Sequence, residues 1–288
     1  MPNLNTLLYK GKAKKMKDGK FKGFMLVSDM DGTLLNSKFE VSEENIKAIE
    51  YFVDNGGFFT IATGRMEFAV KSYLESVPVN APTVLYNGAL IYDFKTGEAL
   101  WNRPLEGNIS GVLKDLLHAF PYLGIEVFHG GNVYFLRENE ETEKHRVKEG
   151  FTPIIAPVEE IPEPWYKVIL TTRPNRLPEV RQFLDGRDIT FRMVYSEPQF
   201  LELLNKRASK GEALCELTKM LGISMDHVIS IGDNHNDIEM IKVSGTGFAV
   251  GNAHPDLKSC ADHSCVHHDH HAAAYVVGWL ERNLARYE

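Results

Sequence analysis

The sequence has few cysteines, no long apolar run and no excess of positive charge. The cysteines, Cys215, Cys260 and Cys265, are odd in number and include no CxxC spacing. They do not support a disulfide framework, and we expect reduced thiols. No apolar stretch approaches the roughly 20 residues of a membrane-spanning helix, and the N-terminus lacks the apolar core of a secretory signal. These absences predict a cytoplasmic protein with no membrane-bound segment.

The charge balance narrows the range of partners. The formal net charge is −7, which disfavours a nucleic-acid binder, because such proteins neutralise phosphates with a positive surface. With 288 residues, 43% hydrophobic and 25% charged, the chain has the composition of a globular metabolic protein with one large or two smaller domains. No pattern in the sequence predicts an oligomeric state.

A basic segment near the N-terminus is the exception to this balance. Its lysines are Lys10, Lys12, Lys14, Lys15, Lys17, Lys20 and Lys22. The segment contains few large apolar residues and cannot bury enough surface to fold alone, so we interpret residues 1–22 as a flexible basic extension. An electrostatic tether to an anionic surface, nucleic acid or lipid, is the alternative.

Two acids follow the first strongly apolar run of the chain. The run from Phe24 to Ser28 stops at Asp29 and Asp31, which are separated by a single residue. A short apolar run that ends at a glycine-containing turn is typical of a buried parallel strand, and ligands of parallel sheets collect at the carboxyl ends of the strands. Two carboxylates there suggest a metal-assisted reaction on an anionic substrate.

Further strands alternate with helices in the same part of the chain. The apolar segment 58–62 is followed by Thr63–Gly64, and the segment 84–86 is followed by Asn87. Helical segments separate these strands. This alternation predicts an α/β fold with a doubly wound, Rossmann-like parallel sheet.

The pattern changes after Asn87 and later resumes. Residues 88–205 contain alternating hairpin strands and predict an inserted α+β cap domain, so the core is predicted at 23–87 and 206–288. Beyond the insertion, a helix begins near Lys210 and a buried strand ends at Gly232–Asp233. Because neighbouring parallel strands end at one edge of a sheet, the early and late acids are expected to meet.

The residue types at these strand ends suit phosphoryl transfer. A hard divalent cation such as Mg²⁺ prefers oxygen ligands, which Asp29, Asp31 and Asp233 supply. An aspartate can also attack phosphorus and form an aspartyl-phosphate. Thr63 offers a hydroxyl to phosphate oxygens, and Lys210 offers a compact positive charge.

Four motifs in order resemble those of the haloacid dehalogenase superfamily. Asp29 to Thr33 matches its DxDGT motif, Thr63 matches the strand-ending threonine, Lys210 matches the lysine motif, and Gly232 to Asp237 matches GDxxND. The resemblance extends from Phe24 to the C-terminus and is strongest in the core. The chain is similar to Cof-type phosphatases with a large α/β cap.

The resemblance implies a role for each acid. Asp29 would be the nucleophile and a Mg²⁺ ligand. Asp31 would act as general acid and then as base, and its backbone carbonyl would also bind the metal. Asp233 would be the third protein ligand, and Asp237 would orient metal-bound waters or Lys210.

The resemblance also implies the residues that hold the substrate. The phosphoryl group would be held by Thr63, Lys210 and Asn236. Asn87, at the predicted start of the cap, and Gly64 are possible substrate contacts. Arg65 is interpreted from the sequence as a structural ion-pair former or as a contact at the edge of the substrate.

The resulting expectation is a Mg²⁺-dependent phosphatase that acts on a small phosphorylated metabolite, such as a sugar phosphate, through an aspartyl-phosphate. A phosphotransferase or phosphomutase on the same scaffold is the first alternative. A non-catalytic regulator that binds a phosphometabolite is the second, although Asp29 and Asp31 are both retained.

A histidine-rich segment suggests a separate metal site. Its members are His254, His263, His267, His268, His270 and His271. Clustered imidazoles can bind zinc. A solvated turn before the last helix is the interpretation we prefer, and zinc is the alternative.

Overall fold

The computed structural model describes residues 19–187 and 190–287. The chain forms two compact units. The first comprises the described parts of Met1–Arg65, Val70–Leu100 and Ser209–Glu288, and the second comprises Met66–Ala69 and the described parts of Trp101–Ala208. No helix in the described ranges has both the length and the hydrophobicity needed to cross a bilayer.

The strands and helices are numbered in chain order. The strands are β1 (Met25–Ser28), β2 (Phe58–Ile61), β3 (Thr83–Leu85), β4 (Leu90–Asp93), β5 (Glu98–Asn102), β6 (Gly124–His129), β7 (Asn132–Arg137), β8 (Ile154–Ile155), β9 (Lys167–Thr171), β10 (Phe191–Glu197), β11 (Phe200–Asn205), β12 (Val228–Gly232), β13 (Thr246–Ala249) and β14 (His263–Ser264). The α-helices are α1 (Glu43–Asp54), α2 (Glu67–Lys71), α3 (Ile109–Ala119), α4 (Glu140–Glu149), α5 (Leu177–Asp185), α6 (Lys210–Leu221), α7 (Ile238–Val243), α8 (Pro255–Cys260) and α9 (Ala272–Asn283).

The first unit contains a parallel sheet with the strand order β14-β13-β12-β1-β2. In the central register, Met25 of β1 lies beside Val228 of β12 and Phe58 of β2. Both β1 and β12 are buried along their whole length, as expected for parallel strands covered by helices. The predicted doubly wound α/β core is confirmed. Its topology brings the ends of β1, β2 and β12 to one edge.

Helix α1 illustrates how local sequence sets this packing. The Ser42 side chain caps the helix by accepting a hydrogen bond from the backbone N–H of Asn45, and Glu43 and Glu44 occupy the first turn. Acidic groups there stabilise the positive end of the helix dipole. The apolar side of α1 buries Phe52, and the helix packs against α9.

The last residues of the predicted N-terminal extension belong to the folded unit. Phe21 is completely buried, and its ring lies 4.9 Å from that of Phe52, centroid to centroid. Lys20 donates a hydrogen bond of 2.5 Å to Glu281 of α9. The predicted extension of residues 1–22 is therefore too long, because Phe21 anchors residues 19–22 to the folded unit. Residues 1–18, with most of the lysines, lie outside the described residues.

The second unit is an α+β domain. Its sheet has the order β10-β11-β9-β6-β7-β8, and its pairs are antiparallel except for β7 with β8. An apolar cluster joins this sheet to α3 and α5 through side chains such as Leu113, Leu116, Val180 and Leu184. Burial of these helix faces explains why the alternating strands have one apolar face.

The two units divide later in the chain than predicted. Strand β3 pairs with β4 in an antiparallel register that includes Leu85 beside Leu90, and β5 completes this small sheet. The hairpin that the sequence suggested for the insertion therefore belongs to the first unit, which extends to Leu100 and resumes at Ser209. Alternation of apolar and polar residues in a sequence predicts a strand but does not show which other strand it pairs with.

The burial of Phe21 gives a test of the packing. Replacing a fully buried phenylalanine by alanine removes apolar contacts and leaves a cavity, so Phe21→Ala should lower the free energy of unfolding by about 3 kcal/mol. Phe68→Ala is the control, because Phe68 is 54% exposed and its loss should change stability by less than about 0.5 kcal/mol. Urea unfolding measures both. Equal effects of the two substitutions would contradict the packing of residues 19–22 described above.

Candidate active site

Asp29 directly follows β1 and lies at the edge where the parallel strands end. Its backbone N–H donates to the carbonyl oxygen of Ile231 in β12 at 3.0 Å, which continues the ladder by one residue. The Asp29 side chain is buried, with 7% exposure. The chain then turns sharply at Gly32, which has φ +73°. A Cβ at Gly32 would lie 2.6 Å from Oδ2 of Asp233, so both the conformation and the space require glycine.

Asp237 organises the loop that follows β12. Its Oδ2 accepts the backbone N–H groups of Asp233 at 3.0 Å and of Asn234 at 3.1 Å. Thr33 donates from its hydroxyl to Oδ1 of Asp233 at 3.2 Å. Hydrogen bonds to Asp237, within the loop, and from Thr33, in the turn after Asp29, therefore hold the loop in place. They keep the Asp233 carboxylate beside that of Asp29.

Lys210 joins these two loops through a buried ammonium group. Lys210 is the first residue of α6, whose preceding residue Ser209 caps the helix by accepting from the N–H of Glu212 at 3.0 Å. Lys210 Nζ donates to Oδ1 of Asp29 and to Oδ1 of Asp237, both at 2.6 Å, and its side chain has no exposure. Burial alone would lower the pKa of Lys210, but attraction by Asp237 and Asp29 raises it above its usual value. Lys210 is therefore a fixed positive charge.

The carboxylates around Lys210 carry more negative charge than one ammonium balances. One oxygen from each of Asp29, Asp233 and Asp237 lies within 4.8 Å of the others. Burial, followed by repulsion from Asp237, raises the pKa of Asp29 well above its usual range, despite the opposing effect of Lys210. Burial and the charge of Asp237 also raise the pKa of Asp233.

This donor set fits a hard divalent cation. Such cations bind oxygen ligands and neutralise carboxylates that otherwise repel one another. Asp237 already accepts hydrogen bonds from Lys210 and from two backbone N–H groups. Asp29 and Asp233 are therefore the better ligand candidates, as the sequence motifs implied.

The Asp31 side chain lies outside this cluster and forms an ion pair with Arg65. Arg65 donates from Nε to Oδ2 at 2.8 Å and from Nη2 to Oδ1 at 2.6 Å. The Asp31 side chain is 49% exposed, whereas that of Arg65 is only 16% exposed. The sequence suggested an ion pair for Arg65 but not its partner, because residues 31 and 65 are distant in the chain. A metal contact through the Asp31 backbone stays a prediction.

Thr63 follows β2 and is 1% exposed. Its backbone N–H donates to Val84 at 2.9 Å, and its hydroxyl accepts the N–H of Arg65 at 3.1 Å. Helix α2 begins only at Glu67 and has five residues, so Thr63 lies four residues before the start of a short helix. Its role in holding phosphate stays a prediction.

Asn236 and Asn87 are joined by a side-chain hydrogen bond. Asn236 donates from Nδ2 to Oδ1 of Asn87 at 3.0 Å. Gly64 lies next to Asn87, since a Cβ on Gly64 would be 3.0 Å from the same Oδ1. The structure thus brings together the residues predicted to contact substrate near the end of β3. No motif in the sequence indicated Asn252, which donates from Nδ2 to the carbonyl oxygen of Gly32 at 2.8 Å.

The histidine-rich segment fastens the loop that follows the first motif. His268 bonds through Nδ1 to the carbonyl of Leu35 at 2.7 Å, and His271 bonds through Nδ1 to the hydroxyl of Ser42 at 2.9 Å. Asp269 accepts from the backbone N–H and the hydroxyl of Ser37, each at 2.7 Å. His267, His268 and Asp269 lie close enough to hold a metal, but these hydrogen bonds give the segment a structural role without one.

The raised pKa of Asp29 predicts how stability depends on pH without metal. The folded protein keeps a proton on Asp29 at pH values where the unfolded chain has released it, so stability should fall as pH rises from about 4, the usual carboxyl pKa, through the raised pKa of Asp29. Asp29→Asn should therefore raise the melting temperature at neutral pH and flatten this decline. Thermal unfolding in EDTA from acidic to neutral pH measures the effect.

Asp54→Asn provides the control, because Asp54 is exposed on α1. This variant should show the same decline as the wild type. A decline of unchanged steepness in Asp29→Asn would contradict the proposed origin of the pH dependence.

Comparison with known proteins identifies the family of the chain. A family model for haloacid dehalogenase-like hydrolases matches residues 26–277. Phosphatase YwpJ of Bacillus subtilis (strain 168) is 29% identical over 286 residues, which cover 89% of this chain and 99% of the relative. The 5-amino-6-(5-phospho-D-ribitylamino)uracil phosphatase YcsE of the same organism is 30% identical over 246 residues, which cover 83% of this chain and 88% of the relative.

The fold comparison gives the same result. The crystal structure of a haloacid dehalogenase-like hydrolase from Bacteroides thetaiotaomicron superposes with a TM-score of 0.81 at 25% identity, covering 89% of this chain and 99% of that one. The expected Cof-type enzyme class, a phosphoric monoester hydrolase, is confirmed. The acids that follow β1 and β12, and the buried lysine that begins α6, thus lie in a chain that belongs to the haloacid dehalogenase-like hydrolases.

Proposed function

We propose that this protein hydrolyses the phosphoric monoester of a small metabolite through a phosphorylated Asp29, with Mg²⁺ as cofactor. The observation that carries the proposal is the position of Lys210, whose buried ammonium holds Asp29 on one side and Asp237 on the other. A carboxylate held by such a bond has a fixed orientation for attack. The same positive charge would stabilise the equatorial oxygens of the transferring phosphoryl group.

The cofactor proposal follows from the same carboxylates. Asp29, Asp233 and the backbone carbonyl of Asp31 would hold the ion. Mg²⁺ bound there would neutralise charge on the phosphoryl oxygens and on Asp29. Haloacid dehalogenase hydrolases generally use a divalent metal. Burial and repulsion by Asp237 raise the pKa of Asp29 and of Asp233, and a cation that relieves this cost supports the same requirement here.

The remaining steps are assigned to the residues that the sequence motifs implied. The Asp29 carboxylate would attack phosphorus as the bond to the leaving alcohol breaks, and Asp31 would give that alcohol oxygen a proton. Asp31 would then take a proton from the water that attacks the aspartyl-phosphate, which releases inorganic phosphate and restores Asp29. Thr63 and Asn236 would hold phosphoryl oxygens during both steps.

The substrate class is proposed from the relatives and from the chemistry. YcsE is named for a phosphorylated ribitylaminouracil, a sugar-alcohol phosphate attached to a heterocycle. Sugar phosphates and this compound are therefore the first candidates. The cytoplasmic location expected from the sequence is part of the same proposal.

Phosphate release from a panel of sugar phosphates, nucleotides, flavin phosphate, pyridoxal phosphate and the ribitylaminouracil phosphate tests this function. The wild type with Mg²⁺ should release phosphate without any acceptor, EDTA should abolish the release, and added Mg²⁺ should restore it. Asp29→Asn should lower kcat by about 10³-fold or more, because the nucleophile is lost. Asp54→Asn should retain full activity.

Two outcomes would contradict the proposal. Undiminished activity of Asp29→Asn would remove Asp29 as nucleophile. Phosphate transfer that requires an added acceptor, with no release to water, would favour the phosphotransferase alternative.

The ion pair between Arg65 and Asp31 predicts a second kinetic effect. Two hydrogen bonds fix the Asp31 carboxyl, and we propose that Asp31 exchanges protons with the leaving alcohol and the attacking water from this fixed position. Arg65→Ala should therefore lower kcat by about tenfold. Arg65→Lys, which keeps the charge but not the paired geometry, should have an intermediate kcat.

Steady-state kinetics with the best substrate measures these effects. Arg181→Ala is the control, since Arg181 lies on α5 of the second unit, where it pairs with Asp185 at 3.5 Å and lies over the ring of Tyr195. An unchanged kcat in Arg65→Ala would show that the ion pair has no part in positioning Asp31.

A further inference from the structure

Three consecutive residues after β3 adopt left-handed backbone conformations. Tyr86, Asn87 and Gly88 have φ values of +50°, +55° and +94°. Positive φ is uncommon for residues other than glycine and is a genuine outlier for a bulky side chain such as tyrosine. Such strain persists only where the surroundings impose it, and it is concentrated at functional sites. Tyr86 is completely buried, so packing holds this turn in place.

The backbone of the turn fixes the loop that carries Thr63. Asn87 donates its N–H to the carbonyl of Thr63 at 3.0 Å, and Tyr86 donates its N–H to the carbonyl of Arg65 at 3.1 Å. These bonds hold the carbonyl groups of the two residues that flank Gly64. The left-handed conformation aims two successive N–H groups at one loop, which an extended strand cannot do because its N–H groups alternate in direction.

The side chain of Asn87 fixes a different loop. Its Oδ1 accepts one N–H of the Asn236 amide at 3.0 Å, and Asn87 is only 5% exposed. Gly64 allows this approach, because a Cβ there would lie 3.1 Å or less from both terminal atoms of the Asn87 side chain. The bond determines which way the Asn236 amide faces and leaves its second N–H for another acceptor.

Gly88 extends the contacts of the turn to the start of α6. A Cβ at Gly88 would lie 2.0 Å from the carbonyl oxygen of Ser209 and 2.8 Å from the backbone nitrogen of Lys210. Only glycine can occupy this position. One turn therefore touches the loop of Thr63, the side chain of Asn236 and the residue that precedes Lys210.

We infer that Asn87 is a positioning residue that acts through Asn236, and is not itself a contact to the substrate. By accepting one N–H of Asn236, Asn87 aims the other N–H at a phosphoryl oxygen. This inference rests on the proposed phosphatase function, in which Asn236 holds the phosphoryl group. The inference also gives the strained turn a function. The hydrogen bond from Asn236 to Asn87 offsets the strain at residue 87 and orients the Asn236 amide toward the phosphoryl group.

A double-mutant cycle between Asn87 and Asn236 tests the inference. Asn87→Gly is chosen because glycine adopts φ +55° without strain, so the variant loses the amide but keeps the turn. It should raise KM for the substrate and the inhibition constant of inorganic phosphate about tenfold, with a much smaller change in kcat. Asn236→Ala should raise both constants at least as much, and adding Asn87→Gly to it should have no further effect.

The alternatives give different patterns. If Asn87 touched the substrate directly or were merely structural, Asn87→Gly would weaken phosphate binding equally in the wild type and in Asn236→Ala, and this additivity would overturn the inference. An unchanged KM in Asn87→Gly would also overturn it. His271→Gly is the control, because His271 is left-handed at φ +64° but bonds to Ser42, and its KM should stay at the wild-type value.

Two further results separate this inference from the proposed function. If the wild type releases no phosphate from any ester, the proposed function fails and the inference fails with it. If the wild type is active and the cycle is additive, only the inference fails. Should Asn87→Gly not fold, the cycle is run with Asn87→Ala, for which the same non-additivity is expected.

Discussion

The fully buried ammonium of Lys210 is the interaction on which the rest of the site depends. Burying a charge is costly unless it is paired. Here the ammonium of Lys210 donates hydrogen bonds to Asp29, which follows β1, and to Asp237, in the loop after β12. Asp237 also binds the backbone at the start of its own loop. A single charge thus fixes α6, the end of β1 and the loop after β12. The three clustered carboxylates still exceed one ammonium, and this excess supports a divalent cation.

The parallel sheet makes this convergence possible. Because β1 lies between β12 and β2 in the same direction, Asp29, Thr63 and Asp233 all follow strands that end at one edge. The left-handed turn after β3 adds Asn87 to that edge through backbone bonds to the Thr63 loop. The rigid strands therefore support the site residues at this edge. The short loops that follow them, fixed by hydrogen bonds, set the direction of each side chain.

The features predicted correctly from the sequence are those encoded locally. Apolar runs that end in acids identified β1, β12 and the positions of Asp29 and Asp233, and the order of the motifs identified the family. The ion pair of Asp31 with Arg65 and the bond between Asn236 and Asn87 join distant segments, so no local pattern encodes them. The burial of Phe21 was missed for the same reason, since its partner Phe52 lies on α1. The first unit extends to Leu100 because β4 pairs with β3. An alternating sequence pattern does not show which strand β4 pairs with.

Trapping of the covalent intermediate tests the central claim most directly. The measurement is acid quenching during turnover of a ³²P-labelled ester with Mg²⁺, followed by peptide mapping, in the wild type and in Asp31→Asn. Loss of the proposed base in this variant should slow hydrolysis of the intermediate. The account predicts label on Asp29 alone, at a higher level in Asp31→Asn. Phosphate release at the full rate with no labelled protein, or label on a residue other than Asp29, would contradict it.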